Sequence, residues 1–228
     1  GNPSVQTGID RLLKQQVEEI ILLPLFPQYA NATVGTCIQH VKKASPIPVH
    51  VIPPFYAHPT YIQAVARTLQ GVEEHILFSY HGLPERQLQK TDPTGHHCLK
   101  ALDCCTTPSE AHATCYRHQC LETTRLMAEA ANLAKDRYTV AFQSRLGRAK
   151  WMDPYTEETL KNLPAQGIQK LAVICPAFYC DCLETLEEIA LRGRDTFLAA
   201  GGTSFRLIPC LNSTPAAVDC LTAIIQNR

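Results

Sequence analysis

Short apolar runs alternate along this chain with segments whose apolar residues recur at helical spacing. Glu19 to Leu25, rich in Ile and Leu and closed by proline, predicts a buried strand with a helix before it. Thr33 to Lys43 has helical spacing, Val49 to Ile52 is a short strand ahead of Pro53-Pro54, and His58 to Leu69 is a helix. His75 to Tyr80 is the next strand. Gln87 to about Tyr116 is irregular, and a helix follows it to Ala134. Strands at Tyr138 to Gln143, Leu171 to Cys175 and Phe205 to Ile208 then alternate with helices at Thr156 to Leu163, Asp181 to Ala199 and Thr214 to Gln226. Strict β/α alternation of this kind predicts an α/β fold, a parallel sheet covered by helices on both faces.

Leu22-Leu23-Pro24-Leu25-Phe26 and Val173-Ile174-Cys175-Pro176-Ala177-Phe178 both end a strand at a proline and lead to a helix. Either proline simply ends two buried strands, or the chain holds two similarly built halves with a break near Gln70-Gly71. The chain begins at Gly1, in a Gly-Asn-Pro-Ser stretch that reads as a loop, so a fragment or processed form with a truncated first half is expected.

Composition narrows the partners. Lys plus Arg and Asp plus Glu number 21 each, a balance that argues against a nucleic-acid ligand. With 45% hydrophobic and 18% charged residues the chain can bury a core. Its longest apolar run, Ile20 to Phe26, falls far short of the roughly 18 residues of a membrane span. The 11 cysteines, an odd number, predict a reduced cytoplasmic setting in which clustered thiols bind metal or sit buried. Cys98, Cys104, Cys105, Cys115 and Cys120 crowd one stretch; Cys180 and Cys182, beside Asp181, are expected to be small buried residues.

In parallel sheets ligands bind beyond the carboxyl ends of strands. His81 closes one such strand, and Gly82 beside it leaves the imidazole uncovered. Taken alone, a strand-end histidine is more often structural than functional, so the case needs a partner. Asp181 suits a helix N-cap, and Asp181, Glu184 and Glu188 fall on one face of the helix it would open. Leu183, Leu186, Ile189 and Ala190 fall on the other, toward the sheet. Such a stripe is either a solvated face or a path for protons or a hard cation. Trp151, the single tryptophan, sits among Gly and Pro, placed either to line a flat aromatic ligand or to pack under a loop.

The same residues carry a family resemblance. FSYHGLPER with TDPTG after it (Phe78 to Gly95), FQSRLGRAKWMDPYTEETL (Phe142 to Leu160) and CPAFYCDCLETLEEI (Cys175 to Ile189) resemble ferrochelatase, supported by PLFPQY (Pro24 to Tyr29) and IPCLNSTP (Ile208 to Pro215). The resemblance implies insertion of ferrous iron into a porphyrin, protoporphyrin IX or coproporphyrin III, in the terminal steps of haem biosynthesis. It implies two Rossmann-like domains with parallel sheets, the first truncated: residues 1–70 as its remainder and 71–228 as the carboxyl-terminal domain. By the same likeness His81 is the active-site histidine and proton acceptor, and Glu184 is the glutamate facing it across the porphyrin. Asp181 and Glu188 flank that glutamate on the iron path, and Trp151 and Tyr29 contact the macrocycle.

The cysteine-rich insert, about residues 96–120, lies where many relatives are shorter. Several relatives carry a [2Fe-2S] cluster; the animal type takes one ligand from the block where this chain has Asn31 and three from a carboxyl-terminal tail that is not seen before Arg228. A cluster held within the insert is expected instead, on Cys98, Cys115 and Cys120 with Cys105 or Cys104 as the fourth thiolate. Zinc on those thiols and His96, His97, His112 or His118, or plain thiols, are the competing readings. Two further alternatives stand beside the enzyme reading: a chelatase loading cobalt or nickel into another tetrapyrrole, and a truncated non-catalytic chain that binds porphyrin or senses through an iron–sulfur centre. Peripheral association with the inner membrane face, to collect an apolar substrate, and the oligomeric state are left open.

Overall fold

A computed structural model describes residues 2–227; the expected opening of the loop at Gly1 lies outside them. Ser4 opens α1 (Val5–Leu13) by accepting the Thr7 N–H on its hydroxyl, which satisfies a backbone donor that the first helical turn leaves free. Two parallel strands follow, β1 (Ile20–Leu22) and β2 (Val49–Val51), with Ile20 opposite Val49. A turn of π-helix (Asn31–Gly35) and α2 (Thr36–Ala44) connect them, and Ile9, Ile20 and Val41 bury one another in this small layer.

The larger sheet has four parallel strands, in the order β4 (Tyr138–Gln143), β3 (His75–His81), β5 (Lys170–Ile174), β6 (Ser204–Leu207). Successive side chains of a strand point to opposite faces, and both faces here are apolar. Ile76, Phe78 and Tyr80 pack beneath α3 (Pro59–Thr68), α5 (Tyr116–Ala130) and α8 (Pro215–Gln226). On the other face Leu77, Leu171 and Val173 meet Leu160 of α6 (Thr156–Asn162), Ile189 and Phe197. The chain leaves β3 for β4 on one side and returns to β5 on the other. That reversal opens a crevice at the carboxyl ends of β3 and β5, the place where parallel sheets bind ligands.

Three elements depart from the sequence expectation. The stretch taken as irregular contains α4 (Glu85–Thr91), which starts after Pro84 with Glu85 in its first turn and Lys90 in its last, and a short 3₁₀ turn at Glu110–Ala113. The helix continuing to Ala134 stops at Ala130, where Asn132 turns left-handed at φ 53°. The long helix from Asp181 is instead a π-helix, Glu184–Gly193, that passes into α7 (Arg194–Ala199). Its wider winding shifts the faces: Ile189 is buried, but Leu183 and Leu186 are 72% and 53% exposed and do not pack on the sheet. Among the described residues no helix is long and apolar enough to cross a membrane.

Arg206 on β6 donates from Nε to Glu74 Oε1 at 2.7 Å, tying that strand to the entrance of β3. The guanidinium holds Glu74 down from 4.5 to about 2. A carboxylate depressed on folding adds stability above its unfolded value and loses it as pH falls toward its folded one. Glu74→Gln should therefore cost up to about 1 kcal/mol at neutral pH, since the pair is partly solvated. The gap between parent and variant in urea midpoints should close as pH drops from about 4.5 to about 2. A gap that persists at the acid end contradicts this role.

Candidate active site

His81 is the last residue of β3, paired with Gln143 at the end of β4. Its Nδ1 lies 2.7 Å from the Gly82 carbonyl oxygen. A carbonyl only accepts, so Nδ1 carries the hydrogen and the neutral ring keeps its lone pair on Nε2. The imidazole stands between two aromatic rings, Trp151 at 6.5 Å and Phe178 at 6.4 Å between centroids. Gly82 permits this packing: a Cβ there would sit 3.0 Å from the Gln143 carbonyl oxygen and 3.4 Å from the indole. Trp151 is brought in by an antiparallel bridge to Pro84, and its Nε1 donates to the Leu146 carbonyl at 2.9 Å. Behind the histidine, the buried Tyr116 hydroxyl donates to the His81 carbonyl at 2.9 Å.

The strand after the crevice, β5, ends at Cys175-Pro176 and leads into the π-helix. The three acidic residues of the expected stripe, Asp181, Glu184 and Glu188, have different surroundings. Asp181 does not cap the helix. Its carboxylate accepts from Asn212 Nδ2 at 2.7 Å, Thr185 Oγ1 at 3.0 Å and the Cys210 N–H at 3.3 Å. Burial alone would raise its pKa, but the bonds from Asn212 and Cys210 outweigh burial and keep it low. Glu188 accepts the Ser144 N–H at 2.7 Å and the Ser144 hydroxyl, with Gln143 Nε2 at 3.4 Å. These bonds hold Ser144 in a left-handed backbone, φ 66°, that a non-glycine residue seldom adopts. Glu184 is held below its ordinary value by the Cys182 thiol first, then by its own backbone N–H, with the His81 imidazole adding to both.

Gln143 organises this end of the sheet. Its Oε1 accepts from the buried Ser79 hydroxyl at 2.8 Å, and its Nε2 donates to the Glu184 carbonyl at 3.0 Å. Sequence reasoning passed over it, although the strand-end rule that selected His81 applies equally to the end of β4. Cys182, Asn212 and Tyr116 were missed as well; no local pattern marks them. Cys180 is exposed and Cys182 half-buried, contrary to expectation, because they sit in the loop at the crevice mouth and not under it. Tyr29 sits between the smaller layer and α5: its N–H donates to Gln119 Oε1 at 2.6 Å, and it lines a hollow with Gln87 and Lys90.

Within the insert, Cys98 and Cys105 lie close enough to Cys115 for the three thiols to shift one another. Cys115 is thereby drawn far below an ordinary thiol, aided by the His118 N–H that its sulfur accepts at the start of α5, while Cys98 and Cys105 are pushed up. Arg117 lies nearby. Its charge lowers Cys105 in part, and its buried Nε has no hydrogen-bond partner among the described residues. Cys120 is fully buried in the apolar core beside Tyr116. All four insert histidines donate to backbone carbonyls, His96 to Thr94, His97 and His112 to Cys104, and His118 to Cys105. Among the described residues no three His, Cys, Asp or Glu side chains are already closed around a metal position.

A crevice at a sheet's switch point, with an imidazole at one strand end and carboxylates after the next, is the kind of site an α/β enzyme uses. Comparison with known proteins agrees. Residues 1–228 match the family model described as Ferrochelatase. The chain is 48% identical to the ferrochelatase of Ectopseudomonas mendocina (strain ymp), over 99% of its own length and 69% of that relative's. It is 46% identical to the ferrochelatase of Azotobacter vinelandii (strain DJ / ATCC BAA-1303), over 99% and 70%. The chain belongs to the ferrochelatase family: it is a metal-insertion enzyme whose substrates are ferrous iron and a porphyrin, acting in haem synthesis. That sets the cobalt and nickel reading aside.

The Gly82 contact fixes a tautomer that can be read directly. Nitrogen-15 spectra of the imidazoles should show neutral His81 with its hydrogen on Nδ1. A signal from an Nε2–H tautomer contradicts the geometry.

Proposed function

We propose that His81 Nε2 accepts the pyrrole protons and that Glu184, backed by Glu188, delivers the iron from the opposite side of the porphyrin. Metallation breaks two pyrrole N–H bonds, leaves both electron pairs on the nitrogens, which donate them to the incoming iron, and releases two protons without changing the iron's oxidation state. A base with a free lone pair and an acidic approach are therefore both needed. The carrying observation is the placement of His81 at the carboxyl end of β3 and of Glu184 at the start of the π-helix that follows β5, with Gln143, the strand partner of His81, bonded to the Glu184 carbonyl. Glu188 and Asp181 are anchored by neighbouring donors, so in this reading they shape the acidic approach and Glu184 does the exchange. Trp151 stacks on the macrocycle beside His81, and Tyr29 borders it from the smaller layer.

The two sheets are the basis for assigning residues 1–70 to one chelatase domain and 71–228 to the other, with α3 of the first leaning on α5 and α8 of the second. Leu146, Leu183 and Leu186 are exposed next to Trp151 and Glu184, which favours contact with an apolar substrate delivered at a membrane face. Glu184→Gln should lower iron insertion about 100-fold with porphyrin binding retained, assayed with protoporphyrin IX and coproporphyrin III. Insertion at the parent rate removes the proposal.

The insert is assigned a [2Fe-2S] cluster: of the expected ligands Cys98 and Cys115 are kept, Cys105 joins them because it lies by Cys115, and Cys120 or Cys104 supplies the fourth thiolate. The convergence of Cys98 and Cys105 on Cys115 and the unpaired Arg117 donor beside Cys105 support it. Such a centre supplies one-electron chemistry, which insertion itself does not use. Protein purified without oxygen should contain iron and acid-labile sulfide in equal amounts with visible absorption, and Cys115→Ser should lack all three. Parent protein without iron and sulfide ends this assignment.

A further inference from the structure

The insert has almost no regular structure between the end of α4 and the 3₁₀ turn at Glu110, yet its cysteines converge. Something other than a helix or strand ladder must fix them. At the near end Asp92 does so: Oδ2 accepts the His97 and Cys98 N–H groups at 2.9 and 2.8 Å, and Oδ1 accepts the Thr94 N–H at 2.9 Å. At the far end the two consecutive carbonyls of Cys104 and Cys105 receive three imidazole donors. His97 Nε2 and His112 Nε2 reach the Cys104 oxygen at 2.6 and 2.9 Å, and His118 Nδ1 reaches the Cys105 oxygen at 2.7 Å. Carbonyl oxygens only accept, so all three nitrogens carry hydrogen, which fixes each ring's orientation.

The rings also hold one another. His112 and His118 stack at 3.7 Å with planes 8° apart, and His97 meets His112 edge-on at 5.4 Å. The three come from separate places: the insert's first residues, the 3₁₀ turn and the first turn of α5. With both carbonyls drawn to the imidazoles, the Cys105 thiol is left to meet Cys115, and Cys104 lies close enough to act on Cys98 and Cys105. We propose that His97, His112 and His118 form a positioning clamp whose N–H donation to the Cys104 and Cys105 carbonyls presents these cysteines for cluster binding. The clamp rests on the iron–sulfur assignment above. It gives the histidines a role apart from ligation, in keeping with outer groups that orient metal ligands.

Three substitutions at the central ring separate donation from packing. His112→Gln keeps an N–H donor on a side chain of similar reach, His112→Phe keeps the stacked ring without a donor, and His112→Ala removes both. After anaerobic loading with iron and sulfide, loss of visible absorption is followed under a ferrous chelator, with far-ultraviolet circular dichroism reporting folding. His112→Phe and His112→Ala should lose the cluster about 10-fold faster than parent, with His112→Gln near the parent rate. If His112→Ala fails to fold, the Phe and Gln variants alone carry the comparison. A His112→Phe cluster as durable as parent, or a His112→Gln cluster as labile as His112→Phe, overturns the clamp and leaves the cluster assignment standing. A parent that takes up no cluster overturns both.

Discussion

The structure depends on how α5 is locked behind β3. This helix buries Tyr116, Gln119, Thr123 and Thr124, and each of these polar groups has a partner on another element. Tyr116 donates to the His81 carbonyl, Thr124 and the Tyr80 hydroxyl lie 2.8 Å apart, Gln119 accepts the Tyr29 N–H, and Thr123 donates to the Tyr56 carbonyl at 3.0 Å. Buried polar groups are costly when unpaired, so only one register of α5 satisfies them all. That register sets the backbone of His81 and ties the smaller parallel layer to the larger one. It also fixes the place of Cys115 at the helix start.

The opposite wall of the crevice is set by a second buried relay. Ser79, on the reverse face of β3, orients Gln143, and Gln143 takes the Glu184 carbonyl into a bond outside the helix. A helix that gives a carbonyl to an external donor is suited to the wider π winding found there. The bonds at Asp181 and Glu188 leave Glu184 as the carboxylate of the three without an anchoring donor from another strand or loop among the described residues. One sheet thus positions both His81, directly, and the start of the Glu184 helix, through Gln143.

Much of this was legible in the chain itself. The alternation of apolar runs and helical periods carries the parallel fold, and the strand-end rule picks out His81, which does close β3. What was not legible depends on contacts distant in sequence. Leu183 and Leu186 read as packing residues on α-helical spacing, whereas the winding there is π and its first carbonyl is bonded by Gln143, about 40 positions earlier. Cys180 and Cys182 looked buried because cysteines usually are, yet the loop that carries them faces the crevice. In the insert, the number of cysteines was readable, but which thiols meet depends on imidazole and carboxylate bonds that no spacing rule encodes.

The account centres on His81 and Glu184 addressing one porphyrin from opposite sides. A crystal structure of the enzyme with a metal-free porphyrin tests it most directly. The macrocycle should lie between His81 Nε2 and the Glu184 carboxylate with Trp151 against its face. Both side chains on one face of the ring would contradict it. So would a porphyrin seated in the cavity of about 820 Å³ beside His50, Phe55 and Ile224, which none of the site residues lines.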